Sequence, residues 1–215
     1  MGVTCVSQWP VPENKNEQQV VEMVTKRVEL LGAVKVGTFC VDCETYQSST
    51  AVSGAQKTVH LMHNSEQPLT TYSVLENLSS PWNSNCLVAD SNFDNMIQKM
   101  KGFYMPRKTA KIESKGQHYE IGDFVVKIGT VSVGPSTKGV LIEVEYTPCV
   151  VMDCWNLLSE FMQGFMGNHT PSVPMYLVGK HDANYTPTDT IMQYLDHFNN
   201  FLGRKQVQPT PPTTR

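Results

Sequence analysis

Apolar positions change period several times along this chain. Between Asn14 and Gly32, Val20, Val24, Val28 and Leu31 recur at three- to four-residue spacing, and Val21 widens the stripe. That spacing predicts an amphipathic helix, with Asn14 and Glu17 as a capping box and Gly32 as the stop. Ahead of it, "GVTCVSQ" reads as a short strand. After it the period falls to two: "VKVGTFCVDCETY", "KTVHLMHN", "LTTYSVLE" and "CLVADSN" read as strands, separated by segments rich in Ser, Gly, Asn and Pro. Helical spacing returns in "FDNMIQKMKG", with Phe93, Met96, Ile97 and Met100 on one side. Strands resume in "AKIES", "HYEIG", "DFVVKIGTVSV" and "GVLIEVEY", the last two flanking "GPSTKG" as a hairpin. Two helices close the pattern. "DCWNLLSEFMQGFMG" is strongly apolar, and "PTDTIMQYLDHFNNFLG" carries Pro187 near its start and Ile191, Leu195, Phe198 and Leu202 in a stripe.

Runs of strands without crossover helices between them predict an antiparallel sheet. The expected fold is α+β: a mostly antiparallel curled sheet or β-barrel of about eight strands with flanking helices, closure being the simplest way to remove sheet edges. Residues 1–203 are expected to form a single domain. Residues 204–215, rich in Pro and Thr with nothing to bury, are expected to be a disordered tail.

Charge and composition narrow the function. A formal net charge of −3 excludes a generally polycationic nucleic-acid binder. No apolar run approaches the roughly 20 residues that span a bilayer, so no membrane partner is expected. The N-terminus "MGVTCVSQWP" lacks a signal-peptide pattern, and Val6 stands where myristoylation wants a hydroxyl. Without a secretory signal the six cysteines are expected to sit in a reducing compartment, and the sequons at Asn77, Asn168 and Asn184 are not expected to meet the glycosylation machinery.

Cys40 and Cys43 have the C-x-x-C spacing of half a zinc site or a redox dithiol. On a strand, however, residues three apart face opposite ways, roughly 10 Å from each other. Phe39, Val41 and Cys43 then share an apolar face, and Cys40, Asp42 and Glu44 a polar one. Cys43 is expected to be core filler. His60 and His63 separate for the same reason, and Cys149 and Cys154, five apart at a helix start, are not expected to share a face. "GPSTKG" resembles the ends of a phosphate loop but has Val140 and Leu141 where Lys and Ser/Thr are required, and it joins strands rather than opening a helix. No catalytic, cofactor-binding or metal-ligating residues are assigned.

Three features carry weighable chemistry. Glu143 and Glu145, at i and i+2 on a strand, point the same way. A divalent-metal-dependent triphosphate-tunnel phosphohydrolase uses such a pair, together with many inward cations. Here Val140, Ile142, Val144 and Tyr146 form the apolar face opposite, and only Lys127 is offered nearby. The glutamates are therefore expected to look outward, solvated or salt-bridged. Residues 99–115 hold Lys99, Lys101, Arg107, Lys108, Lys111 and Lys115 against Glu113, with Phe103 and Tyr104 among them. This is a nucleic-acid footprint in outline but more often a solvated loop, and no direct sequence-specific nucleic-acid binding is expected. In the helix from Asp153, Cys154, Leu158, Phe161 and Phe165 make one stripe, and Trp155, Met162 and Met166 the next. So wide an arc places Trp155, Met162 or Met166 against a partner or a neighbouring helix.

Several blocks, taken together and in order, resemble one known family. They are "MGVTCVSQWP", "LLGAVKVGTFCVDCETY", "MHNSEQPL", "VADSNFD", "GDFVVKIGTVSVGPSTKG", "IEVEYTPCVV", "DCWNLLSEFMQGFMG" and "HDANYTPTDTIMQYLDHFN". They are similar to subunit 20 of the Mediator complex, also called the TATA-box-binding-protein-related-factor proximal protein, in its animal form. The resemblance runs from Met1 to about Phe201; "QSSTAVSGAQ", "YMPRKTA" and the proline-rich tail depart from it. It implies a nuclear, non-enzymatic subunit of the Mediator head module, a coactivator bridging transcription factors and RNA polymerase II. It further implies a heterodimer with the homologous barrel subunit 18 and contact with a C-terminal helix of subunit 8. The rest of the head and the polymerase would be met indirectly. No catalytic motif comes with the family, so none is carried over.

Overall fold

The computed structural model describes residues 2–49, 57–76, 85–107, 111–174, 177–178 and 183–203. The expected tail, 204–215, lies outside them, as does Lys108 of the basic stretch. Strand β1 (Val3–Trp9) leads into helix α1 (Glu17–Leu30), followed by β2 (Val34–Ser48), β3 (Thr58–Asn64), β4 (Thr70–Leu75) and β5 (Asn85–Asp90). Helix α2 (Asn92–Lys99) and a short β6 (Tyr104–Pro106) precede β7 (Ile112–Ile121), β8 (Phe124–Val133) and β9 (Ser136–Tyr146). Helices α3 (Trp155–Met166) and α4 (Pro187–Phe201) complete the chain.

Local chemistry accounts for most boundaries. Helix α1 starts at Asn16, whose side chain accepts from the Gln19 N–H while the Gln19 side chain accepts from the Asn16 N–H. The capping box thus falls two residues after the expected Asn14–Glu17. Gly32, at φ +98°, closes the helix where a side chain would be strained. "AKIES" and "HYEIG" are not two strands but one, β7, which continues through Gly116; a Cβ there would sit 1.9 Å from the Ile128 carbonyl oxygen. Helix α4 starts with a second capping box, Thr186 with Asp189, and with Pro187 in its first turn.

All strands pair antiparallel in one nine-stranded sheet with the path β1-β9-β8-β7-β2-β3-β4-β5, while β6 adds to β2. The sheet curls but does not close into a hydrogen-bonded barrel: β1 pairs only with β9, and β5 only with β4, among the described residues. What closes the curl is helix α4. Gln193 bonds the backbone of β1, and Cys86 of β5 packs against the core cluster that holds Ile191, Leu195 and Phe198. Both edges of the sheet therefore reach the same helix.

Two faces divide the core. On one, Val3, Cys5, Val126, Ile128, Val140, Ile142 and Val144 pack under Val20, Val24 and Val28 of α1 and Leu158, Met162, Phe165 and Met166 of α3. Helix α2 covers the same face at the other end of the sheet, with Ile97 against Tyr46, Val59 and Leu61. On the opposite face Val6, Phe39, Val41, Cys43, Met62, Tyr72, Val74 and Leu141 enclose Ile191, Tyr194, Leu195 and Phe198 of α4. Helix α4 is buried well beyond the expected Ile191, Leu195, Phe198 stripe: Asp189, Thr190, Met192, Gln193, Tyr194 and Asn199 are buried too.

Candidate interaction surface

Cys43 lies with Phe39 and Val41 in the core and Cys40 on the opposite side, as strand alternation requires. Cys149 and Cys154 depart from expectation. The 3-10 turn Met152–Cys154 folds the chain back, so the Cys154 thiol meets Cys149; burial first, and then that neighbour, raise its pKa to about 12. Among the described residues no group of three His, Cys, Asp or Glu side chains is placed to hold a metal ion.

Glu143 and Glu145 do not look outward. They point to the α4 side of the sheet, where Glu143 is 1% and Glu145 8% exposed. The apolar face opposite them is covered by α1 and α3, as alternation suggests, but α4 covers the glutamate face as well. Glu143 has both oxygens engaged: Lys127 donates to Oε1 at 2.9 Å and the Tyr194 hydroxyl to Oε2 at 2.6 Å. Lys127 reaches Glu66 as well, at 2.6 Å. Burial works against the ammonium, but Glu143 and Glu66 outweigh it and hold the Lys127 pKa above its usual value. Burial, and then Glu143, push the Tyr194 phenol up. Glu145 accepts from the Gly2 N–H, and burial leads in raising its carboxyl. Glu143 is thus occupied by the chain's own cation and phenol and Glu145 by the Gly2 N–H, and α4 lies where a phosphorylated substrate would have to enter. This is a structural charge cluster.

A second cluster was not legible in advance. His63 lies between two carboxylates, with Nδ1 2.9 Å from Asp42 Oδ1 and Nε2 2.8 Å from Asp94 Oδ2, and a protonated ring nitrogen donates to either. Both contacts are hydrogen bonds only when the ring carries two protons. Asp42 leads in raising the His63 pKa, and Lys111 pairs with the same aspartate at 3.0 Å. Thr71 donates to Asp94 Oδ1 at 3.0 Å. The cluster ties α2 to β2, β3 and β4. It also splits the basic stretch, because Lys111 is committed to Asp42 and Tyr104 packs beside Ile97, while Lys99, Lys101 and Lys115 are exposed on different elements.

Of the three positions singled out on α3, Met162 and Met166 are buried in the core shared with α1 and the sheet. Trp155 is only partly buried, and Leu157 beside it is 44% exposed. Larger apolar exposure lies elsewhere: Leu30 with Leu31 and Val34 at the end of α1, and Leu87 with Val88 on β5. The two sheet edges differ. Along β1, Gln193 accepts from the Val6 N–H and donates to the Thr4 carbonyl, both at 2.9 Å, and His197 donates to the Val6 carbonyl at 3.0 Å. A cavity of about 330 Å³ follows that edge, lined by Ser7, Gln8, Pro171, Pro174 and His197 among others.

The family model described as "TATA-binding related factor (TRF) of subunit 20 of Mediator complex" matches residues 1–199. The chain is 51% identical over 212 residues to the Mediator of RNA polymerase II transcription subunit 20 of Rattus norvegicus, covering 96% of this chain and 97% of that one. The chain belongs to the Mediator subunit 20 family. The Aedes aegypti member is 46% identical over 220 residues, covering 97% of each chain. Among solved structures, a chain of the Schizosaccharomyces pombe Mediator head module superposes with a TM-score of 0.33 at 10% identity, covering 94% of each. The Mediator subunit 20 family is one of transcription coregulators, not enzymes, which agrees with a Glu143 whose oxygens are already taken.

Proposed function

We propose that the chain works in the nucleus as a scaffold subunit of the Mediator head, paired with subunit 18 and touching a helix of subunit 8. The observation that carries this reading is identity of about one half along the whole chain to subunit 20 of vertebrates. The physical basis is surface complementarity: a rigid curled sheet, filled by α4, displays apolar anchors outside it. On α3 the anchor is Trp155, the one of the three chosen positions with surface left, flanked by Leu157. Affinity purification of the tagged chain from nuclear extract tests the assignment, with stoichiometric recovery of Mediator subunits expected. Recovery of none overturns it. Trp155→Ala is expected to weaken recovery without altering the fold.

A phosphohydrolase is the competing reading, and the site argues against it. A metal ion at Glu143 would have to displace Lys127 and the Tyr194 hydroxyl inside a packed core. Purified chain with Mn²⁺ and inorganic triphosphate is expected to release no phosphate. Release that Glu143→Ala abolishes would restore the enzyme.

A further inference from the structure

The two edges of the sheet are finished differently, and the difference specifies an occupant. At β1 the Thr4 carbonyl and both outward backbone groups of Val6 are already bonded by Gln193 and His197 of α4, so a side-chain amide stands where a neighbouring strand would run. At β5 the ladder can be worked out from its ends. The Ser91 N–H bonds the Leu69 carbonyl at 3.1 Å, one step beyond the Thr70–Asp90 pair. Hydrogen-bonded pairs alternate along an antiparallel ladder, so Thr71–Ala89, Ser73–Leu87 and Leu75–Asn85 are the bonded pairs. The other side of β4 agrees: the Glu76 N–H bonds the Thr58 carbonyl, which assigns Val74 and Tyr72 to β3. Cys86, Val88 and Asp90 therefore turn their N–H and C=O groups away from the sheet. No strand or backbone partner meets them among the described residues.

The side chains repeat the message. Leu87 and Val88 point to opposite faces and are 56% and 54% exposed, so at these two positions the described residues leave both faces of the edge open. Proteins usually blunt such an edge with Lys, Pro or a bulge. Between Asn85 and Asp90 this strand, "NCLVAD", has none of them, and its pairing with β4 runs without a register break. In the chain's own last residues, Pro209, Pro211 and Pro212 cannot donate to a ladder.

We propose that β5 is a docking edge that receives an extended segment of another protein subunit as an added strand. Its main chain pairs with Cys86, Val88 and Asp90, and its apolar side chains, at alternate positions, extend the surfaces begun by Leu87 on one face and Val88 on the other. That the added strand belongs to a different chain rests on the reading of this protein as a subunit of a larger assembly.

Proline scanning tests this without unfolding the chain. The Val88 N–H points outward, so Val88→Pro removes a donor that the isolated chain does not use, whereas Leu87→Pro removes a bond to β4. Val88→Pro is expected to keep the melting temperature of the chain within a few degrees and to lose at least one Mediator subunit from a nuclear-extract purification in which the unaltered chain recovers the set. Leu87→Pro is expected to lower the melting temperature itself. Full recovery with Val88→Pro overturns the docking edge. Recovery of no subunits by the unaltered chain overturns the Mediator reading instead. Should Val88→Pro fail to fold, residue-resolved hydrogen exchange decides. Exchange at Cys86 and Val88 should be fast in the free chain and slow by about tenfold or more in the purified complex, while Leu87 and Ala89 are protected in both. Equal exchange in the two states, protection already present in the free monomer, or a dimer of the free chain that Val88→Pro dissociates would each overturn the proposal.

Discussion

Lys127→Met isolates the energetics of the buried cluster. The substitution keeps the stem that packs beside Glu143 and deletes the ammonium. In the folded chain Lys127 is 2% and Glu143 1% exposed, so water cannot replace the lost charge. Glu143 would keep the Tyr194 hydroxyl on one oxygen and lose its partner at 2.9 Å on the other. Breaking a buried pair by removing one member costs about 3–5 kcal/mol. For a chain of 215 residues that is roughly 6–20 °C of melting temperature, at about 2–4 °C per kcal/mol. Loss of the cation leaves Glu143 buried without its countercharge. Lys127→Met/Glu143→Leu removes both charges and should recover most of the loss, less about 1–3 kcal/mol for the stranded Tyr194 hydroxyl. Urea unfolding of the four members of the cycle measures the coupling, expected to be at least about 2 kcal/mol. A single-substitution cost below about 1 kcal/mol, or additivity in the double variant, would refute the buried pair.

Other substitutions probe the remaining joints. His63 should titrate above its ordinary value by NMR, because Asp42 and then Asp94 favour the imidazolium; its stabilisation is complete below the unfolded pKa and fades as pH rises through the folded one. The urea midpoint of the chain relative to His63→Gln should accordingly fall with rising pH, and a ring titrating below about 6.5 contradicts the bracketing. Gln193→Leu uncovers the β1 edge and strands the Thr4 carbonyl and Val6 N–H, at about 1–3 kcal/mol each, and should produce concentration-dependent association by sedimentation. An equally stable and monomeric Gln193→Leu would show that the edge has another cover. Gly116→Ala drives a Cβ to 1.9 Å from the Ile128 carbonyl oxygen and must push β7 from β8; a loss of at least about 1–3 kcal/mol in chemical unfolding is expected.

Alternation made the strands and their faces legible, but not which face is covered. Phe39, Val41 and Cys43 separate from Cys40 because side chains on a strand alternate, whatever packs above. Glu143 and Val144 separate equally well, yet both turned out to be buried, because each face of the sheet has its own helices. Pairing Lys127 with Glu143 needed the register of the β8–β9 hairpin. The two-residue turn at Gly134 and Pro135 alone would set Lys127 against Ile142. A bulge between Val131 and Ser132 shifts the pairing by one residue and sets it against Glu143. No local signal in "GTVSVGPSTKG" marks that bulge. The His63 cluster was hidden for another reason: Asp42, His63 and Asp94 come from three elements, and only the packing of α2 on the sheet joins them.

Helix α4 is the element on which fold and function meet. A curled sheet that leaves its interior open has a concave chamber, and inward carboxylates there are free to take a metal ion. A sheet that fills the chamber must satisfy the same carboxylates internally. Tyr194 and Lys127 do this for Glu143, and Gln193 and His197, on the same helix as Tyr194, bond the Thr4 carbonyl and the Val6 N–H and carbonyl of β1. One helix therefore occupies the interior and blunts an edge together. Its reach ends near β5, where Cys86 packs against the α4 core and no strand pairs with the outer rim among the described residues. With the interior filled, recognition has to take place on outer surfaces. Among the described residues, the β5 edge that α4 leaves bare is a part of the sheet whose hydrogen-bonding groups call for another chain.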